Sequence, residues 1–286
     1  MAINPLFEPL SPKQTRALLD SLAKIPQKKW GQNFLVDKNI VFKSVELAQL
    51  RAGENVVEIG PGLGTLTRAM LAKNCCVFAV EYDPLLCAFL QKTFDDIPTF
   101  RIIRGDAVAQ PLAGFSQGAP CKIVANLPYN ISTPWIDAVL KQPRLPTSMT
   151  LMVQRETASR FLAQPGSKKC SAISIFLHAT YRCETIFPVS RSSFSPAPGV
   201  DSAIIHLQRL PAPKIFHPET RALMRKFFTQ RRKQMGALLR VFLPECSENV
   251  AALLQKNGLA ITARPEQLPL QFWHDFDNLL NIIYNQ

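Results

Sequence analysis

Between residues 55 and 210, short and mostly apolar runs alternate with stretches of helical spacing, and that alternation narrows the folds open to the chain. Strands are expected at 56–59, 76–81, 100–104, 122–125, 150–154, 173–181 and 202–208, with helices at 65–73, 84–93 and 155–162 between them. Apolar strand interiors imply burial on both faces, so the expected fold is α/β with a largely parallel sheet. Two helices should precede it, one over 13–24 started by Ser11-Pro12 and one over 37–50 capped by Asp37. The alternation stops at 209–218, where prolines 211, 213 and 218 mark a linker. Beyond it only helical signals remain, at 219–243, 247–257 and 270–283. The expected division is 1–209, an α/β domain with a basic lead-in, and 210–286, a small helical domain.

Charge follows that division. The 286 residues hold 33 Lys and Arg against 21 Asp and Glu, a net +12. Eleven of those cations, against three Glu, lie in residues 209–264. The imbalance favours a polyanionic partner, nucleic acid ahead of an anionic membrane surface. In the helix expected at 219–243 an apolar stripe runs through Leu223, Phe227, Phe228, Met235, Leu238, Leu239 and Phe242, and Arg221, Arg225 and Arg232 fall on another face. With Arg231 and Lys233 these are the candidate phosphate contacts, although a solvated helix face would look the same. The longest apolar runs are six residues, at 75–80 and 85–90, too short to cross a bilayer. No secretory signal is expected. Seven cysteines without a C-x-x-C pair read as reduced thiols in a cytoplasmic protein, with neither a disulfide framework nor a metal site. A monomer is expected.

The segment Glu58-Ile59-Gly60-Pro61-Gly62-Leu63-Gly64 reads as strand, glycine turn and helix start. Glycines let the backbone turn sharply and approach a ligand, and the helix that follows offers free N–H groups. A dinucleotide site wants G-x-G-x-x-G. The spacing here is G-x-G-x-G, which resembles motif I of the Rossmann-like methyltransferases that bind S-adenosyl-L-methionine. Glu81 ends the second strand, where a carboxylate can accept both ribose hydroxyls, and Asp106 follows the third, where it can accept from an adenine amino group. Each alone reads as a turn or a cap; together they face the crevice where open α/β sheets bind ligands.

The sharpest signal is Asn126-Leu127-Pro128-Tyr129, directly after the fourth strand. The Asn126 side-chain oxygen and the Leu127 carbonyl present two acceptors to one ligand group. Pro128 stiffens the turn and lacks an N–H. Tyr129 adds an aromatic face. An ordinary packing loop can carry the same residues, but the set suits an exocyclic NH2 with its base stacked on a ring.

The turn resembles motif IV of the methyltransferases that act on adenine N6. Its context is similar to the small-subunit rRNA adenine N6-dimethyltransferases, the kasugamycin-sensitivity methyltransferases. The matching segments are 31–35, 58–64, 105–107, 126–133, 154–156, 194–202 and 230–233, in family order. The resemblance implies a class I, Rossmann-like fold and transfer of four methyl groups from S-adenosyl-L-methionine to two adjacent adenosines. These lie in the 3′-terminal hairpin loop of 16S rRNA, within the small ribosomal subunit or its precursor. It places Asn33, Leu35, Gly60, Gly62, Glu81, Asp106 and Asn126 at the cofactor, with Asn126 at the junction with substrate. It also implies that Tyr129 stacks on the target base and that Phe194 closes its other side. Two positions depart from the pattern: Cys170-Ser171 stands where the family has Tyr-Gly, and Gly199 where it has Lys.

Three other readings share parts of this pattern. A 23S-type rRNA adenine methyltransferase has the fold and the motif class, but Leu127 and the run 230–233 favour the small subunit. A factor that keeps the fold without catalysis conflicts with the intact turn, Glu81 and glycine loop. An NAD-dependent oxidoreductase conflicts with the glycine spacing. The lead-in cations Lys28 and Lys29 are expected either to close over cofactor or to touch RNA.

Overall fold

The computed structural model describes residues 5–27, 31–115 and 118–284. Lys28 and Lys29 lie outside them. The elements in chain order are α1 (Pro12–Ser21), β1 (Phe34–Leu35), α2 (Lys38–Leu47), β2 (Asn55–Ile59), α3 (Thr65–Ala72), β3 (Cys76–Glu81), α4 (Pro84–Thr93), β4 (Phe100–Arg104), β5 (Lys122–Asn126) and α5 (Ser132–Val139). They continue with β6 (Ser148–Gln154), α6 (Arg155–Phe161), α7 (Ala172–His178), β7 (Tyr181–Val189), β8 (Phe194–Ser195), β9 (Ser202–Arg209), α8 (Pro218–Thr229), α9 (Met235–Phe242), α10 (Ser247–Lys256) and α11 (Leu270–Tyr284).

Contacts divide the chain into two units, Met1–Ala158 with Cys183–Arg209, and Ser159–Arg182 with Leu210–Gln286. The first is built on a seven-stranded sheet of order β4-β3-β2-β5-β6-β9-β7. Strands β4, β3, β2, β5 and β6 run parallel, and β9 pairs antiparallel with β6. Val56, Val57, Val77, Ala79, Ile123, Val124, Leu151 and Val153 are fully buried, as expected for strands covered on both faces. The helices start where side chains satisfy the first free N–H groups. Ser11 and Gln14 form a reciprocal box before Pro12, Asp37 accepts from the Asn39 N–H at 3.0 Å, and Asp83 accepts from the Leu85 N–H at 3.0 Å. Apart from the sheet, β1 pairs antiparallel with β8, with Leu35 opposite Phe194. Neither two-residue strand was legible from periodicity, which needs a longer run.

In the second unit an aromatic cluster forms the core. Phe272 stacks on Phe276 at 5.9 Å, one helical turn apart on α11, and Trp273, Phe227, Phe228 and Phe242 pack around them. Buried Asp277 accepts from the His217 N–H at 2.9 Å and pairs with Lys214 at 2.7 Å, fixing where α8 begins.

Three sequence expectations are corrected. The run expected as a strand at 173–181 is helix α7 followed by β7. Ala172–Leu177 is buried all round and apolar except for Ser174, and a short run of that kind has no period to separate strand from helix. Ser171 and Ser174 supply the helix start. The helix expected at 219–243 is two helices: the Met235 and Gly236 N–H groups bond the carbonyls of Ala263 and Ile261 instead of the preceding turn, so the chain breaks at 230–234. Third, residues 159–182, grouped in the sequence reading with 1–209, pack within the helical unit, where α7 buries its apolar side chains.

Candidate functional site

The parallel strands end on one edge of the sheet, and the loops after β2, β3, β4 and β5 converge there with residues 31–35. They enclose a cavity of about 360 Å³. This is the edge where open α/β sheets hold ligands.

The loop after β2 passes through Gly60, Gly62 and Gly64 with positive φ at each. At Gly60 (φ +62°) a Cβ would sit 3.2 Å from Pro128 Cγ. A side chain is therefore disfavoured twice, by the backbone conformation and by the turn after β5. The same closeness puts the glycine loop and the Asn126 turn in one cavity.

Among the described residues, four carboxylates line that cavity and no Lys or Arg does. Glu81 is buried; its Oε2 accepts from the Gly62 N–H at 3.0 Å and its Oε1 from the Asp83 N–H at 2.9 Å. Burial raises its pKa above the usual carboxylate value, against the pull of those N–H donors. Glu58 is 1 % exposed and accepts from the Thr67 hydroxyl at 2.6 Å. Burial pushes its pKa up to about 8, and the neighbouring Glu81 adds to the rise. Asp83 is the opposite case. Burial alone would raise it, but the Lys24 ammonium and the Gln32 amide, 3.1 Å away, hold it below the ordinary value. Asp106 is exposed and its Oδ1 accepts from the Val108 N–H at 2.8 Å, fixing the turn after β4. With Glu58 holding its proton and Asp83 paired with Lys24, Glu81 and Asp106 are the acceptors left to meet hydroxyl and amino donors, and a pyrophosphate finds no cation among the described lining residues.

The turn after β5 is held at several points. The Leu127 N–H bonds the Met152 carbonyl at 3.1 Å, and the Pro128 carbonyl accepts from the Ile131 N–H and the Ser132 hydroxyl, both at 3.1 Å. The Asn126 Nδ2 donates to the Asn33 carbonyl at 3.2 Å. A carbonyl can only accept, so this bond settles which way the amide faces and leaves Oδ1 as the acceptor. Tyr129 lines the cavity, and its hydroxyl lies 2.8 Å from Ser202 Oγ. Burial raises the Tyr129 pKa, so the phenol stays neutral.

Asn33, Leu35, Gly60, Gly62, Glu81, Asp106 and Asn126–Tyr129 thus all line one cavity. Phe194 does not. It is 4 % exposed and packs in the core with Leu35 and Val189, because β8 turns it inward where it pairs with β1. Glu58, Asp83 and Gln32 also line the cavity and were given no role from the sequence. Asp83 before Pro84 reads as a helix cap, which it also is; its ion pair with Lys24 spans 59 residues and leaves no local signal.

The candidate phosphate contacts fare unevenly. Arg232 and Lys233 are exposed, and Arg231 donates to the Lys168 carbonyl. Arg225 is half-buried, 5.3 Å from the Phe176 ring. Arg221 is corrected: it is 3 % exposed with its guanidinium 4.0 Å over that ring, so it serves packing, not the surface. The run read as a strand hid α7, whose Phe176 covers the face of α8 that carries Arg221 and Arg225.

Residues 24–281 match the model of the family described as ribosomal RNA adenine dimethylase. A relative from Opitutus terrae named ribosomal RNA small subunit methyltransferase A is 50 % identical over 269 residues, covering 93 % of this chain and 97 % of that one. A dimethyladenosine transferase structure from Plasmodium falciparum superimposes with a TM-score of 0.70 at 24 % identity, over 88 % of this chain and 98 % of the other. The structure of the 23S rRNA methyltransferase ErmE gives 0.64 at 25 % identity, over 87 % and 100 %.

Proposed function

Because the chain belongs to the ribosomal RNA adenine dimethylase family, we propose that it uses S-adenosyl-L-methionine to methylate N6 of two adjacent adenosines in the 3′-terminal hairpin loop of 16S rRNA, twice each, during small-subunit biogenesis. The observation that carries this reading is the closeness of the glycine loop to the turn after β5, where a Cβ at Gly60 would come within 3.2 Å of Pro128 Cγ, so that Glu81, Asp106 and Asn126–Tyr129 line one cavity.

The bound cofactor supplies an activated sulfonium methyl group. Glu81 would take its ribose and Asp106 its adenine. Asn33 and Leu35 would complete its wall beside Asn126. Asn126 Oδ1 and the Leu127 carbonyl accept the N6 hydrogens of the target. They draw the nitrogen lone pair out of ring conjugation and stabilise the positive charge that develops on it. The rigid turn supplies alignment, which is most of what an already activated donor needs. The target base must leave its stack at a cost of a few kcal/mol, less in a single-stranded loop. Stacking on Tyr129 returns roughly 1–3 kcal/mol. We propose that the protein acts as a monomer. Exposed Arg232 and Lys233, with Arg225 and Arg231, are the RNA-facing cations of the helical unit. Among the described residues no helix is long and apolar enough to cross a membrane, and all seven cysteines are free thiols. We place the protein in the cytoplasm with its ribosomal substrate.

The test is incubation with methyl-labelled cofactor and undermethylated 30S or 50S particles. Label is expected in 16S rRNA of the 30S particle; label confined to the 50S particle rejects the assignment.

A further inference from the structure

The far end of the Tyr129 side chain is held as firmly as its backbone. Ser202 Oγ lies 2.8 Å from the phenol oxygen and is 1 % exposed. Ser202 opens β9 and sits opposite Gln154 in the antiparallel ladder with β6. The residue before it is pinned on two sides: the Asp201 carbonyl accepts from the Arg155 N–H at 3.0 Å, and its Oδ1 accepts from the Arg191 N–H at 3.1 Å. At the near end, the Tyr129 backbone N is 3.1 Å from where a Gly31 Cβ would sit, and Pro128 precedes it. The ring is therefore tethered at its hydroxyl by Ser202 and carried at its backbone on the turn that Pro128 stiffens.

Resting on the methyl transfer proposed above, the chemistry gives this tether a particular task. In the first transfer N6 carries two hydrogens, and the two acceptors orient it. In the second, N6-methyladenine carries one hydrogen, one acceptor is left without a donor, and alignment depends more on stacking. We propose that Ser202 is a positioning residue that fixes the Tyr129 ring plane and thereby sustains the second methylation of each adenosine. Ser202 touches neither cofactor nor the reacting nitrogen; it acts through the ring.

The experiment is a time course of mono- and dimethyladenosine by mass spectrometry of 16S rRNA, using the full-length protein, S-adenosyl-L-methionine and undermethylated 30S particles. Ser202→Ala is expected to slow the second transfer about five- to tenfold more than the first, the scale of one hydrogen bond, so that monomethyladenosine accumulates. Tyr129→Phe keeps the ring, loses the same bond, and should give the same product ratio. The double variant should be no worse than either single one, since both remove one interaction. Ser202→Thr should restore dimethylation. An unchanged product ratio in both single variants overturns the proposal, as does an equal slowing of both steps that tracks lost thermal stability. If Ser202→Ala does not fold, Tyr129→Phe decides alone. Failure of the unaltered protein to methylate 30S particles would instead reject the proposed function itself.

Discussion

At residue scale, Asn126 and Glu58 show what burial and fixed geometry do to single side chains. Asn126 donates its amide N–H to the Asn33 carbonyl and so keeps its oxygen for a ligand. Asn126→Ala should lower single-turnover methyl transfer about a hundredfold or more, the scale seen when one fixed charge-stabilising group is removed. RNA affinity by filter binding should stay within about threefold. Glu58 makes a prediction about stability. Its pKa is raised by burial from the ordinary 4.5 to about 8, so the folded protein holds a proton that the unfolded chain releases. Stability without cofactor should then fall as pH rises from about 5 to 8, by no more than about 1.4 kcal/mol per unit from this group. Glu58→Gln should flatten that fall in urea titrations; parallel slopes would show that Glu58 titrates normally. The sequence made the acceptor turn legible because four adjacent residues carry it. It could not reveal the state of Glu58, which depends on burial and on Glu81, 23 positions away.

At the scale of elements, the glycine loop and the turn after β5 are expected to act as one unit, because the space a Cβ at Gly60 would need is bounded by Pro128. Gly60→Ala combines an unfavourable positive φ, about 1–2 kcal/mol, with a 3.2 Å approach to Pro128 Cγ. It should weaken cofactor binding in calorimetry and also displace the acceptors, lowering turnover at saturating cofactor. A loss confined to cofactor affinity would mean that the two loops are uncoupled. Alternation of strand and helix made β2 through β6 legible because each strand is apolar and bounded by turn residues. It failed at α7, where an apolar helix and an apolar strand have the same composition. It also missed β7, whose burial alternates and whose sequence carries Arg182, Glu184 and Thr185 among the apolar residues. The break between α8 and α9 is set by distant carbonyls at Ile261 and Ala263, a tertiary cause with no local mark.

At the scale of the whole molecule, the +12 charge was the first pointer to a polyanionic partner, but charge in sequence does not say which cations reach the surface. Arg232→Glu with Lys233→Glu should flatten the dependence of RNA binding on salt, each lost phosphate contact removing about 0.7–0.9 from the logarithmic slope. Arg221→Ala should leave that slope unchanged and lower the melting temperature, because its guanidinium packs on Phe176. The division of the chain was only partly legible: a proline-rich stretch marks the boundary near 210, whereas residues 159–182 join the helical unit through packing alone. The fold, the cavity and the surface cations meet in one reaction at one place in the ribosome. Mass mapping of 16S rRNA from undermethylated 30S particles treated with this protein and S-adenosyl-L-methionine tests it most directly. Two adjacent adenosines in the 3′-terminal loop, each heavier by two methyl groups, are the predicted result; methylation elsewhere, on an atom other than N6, or not at all would contradict it.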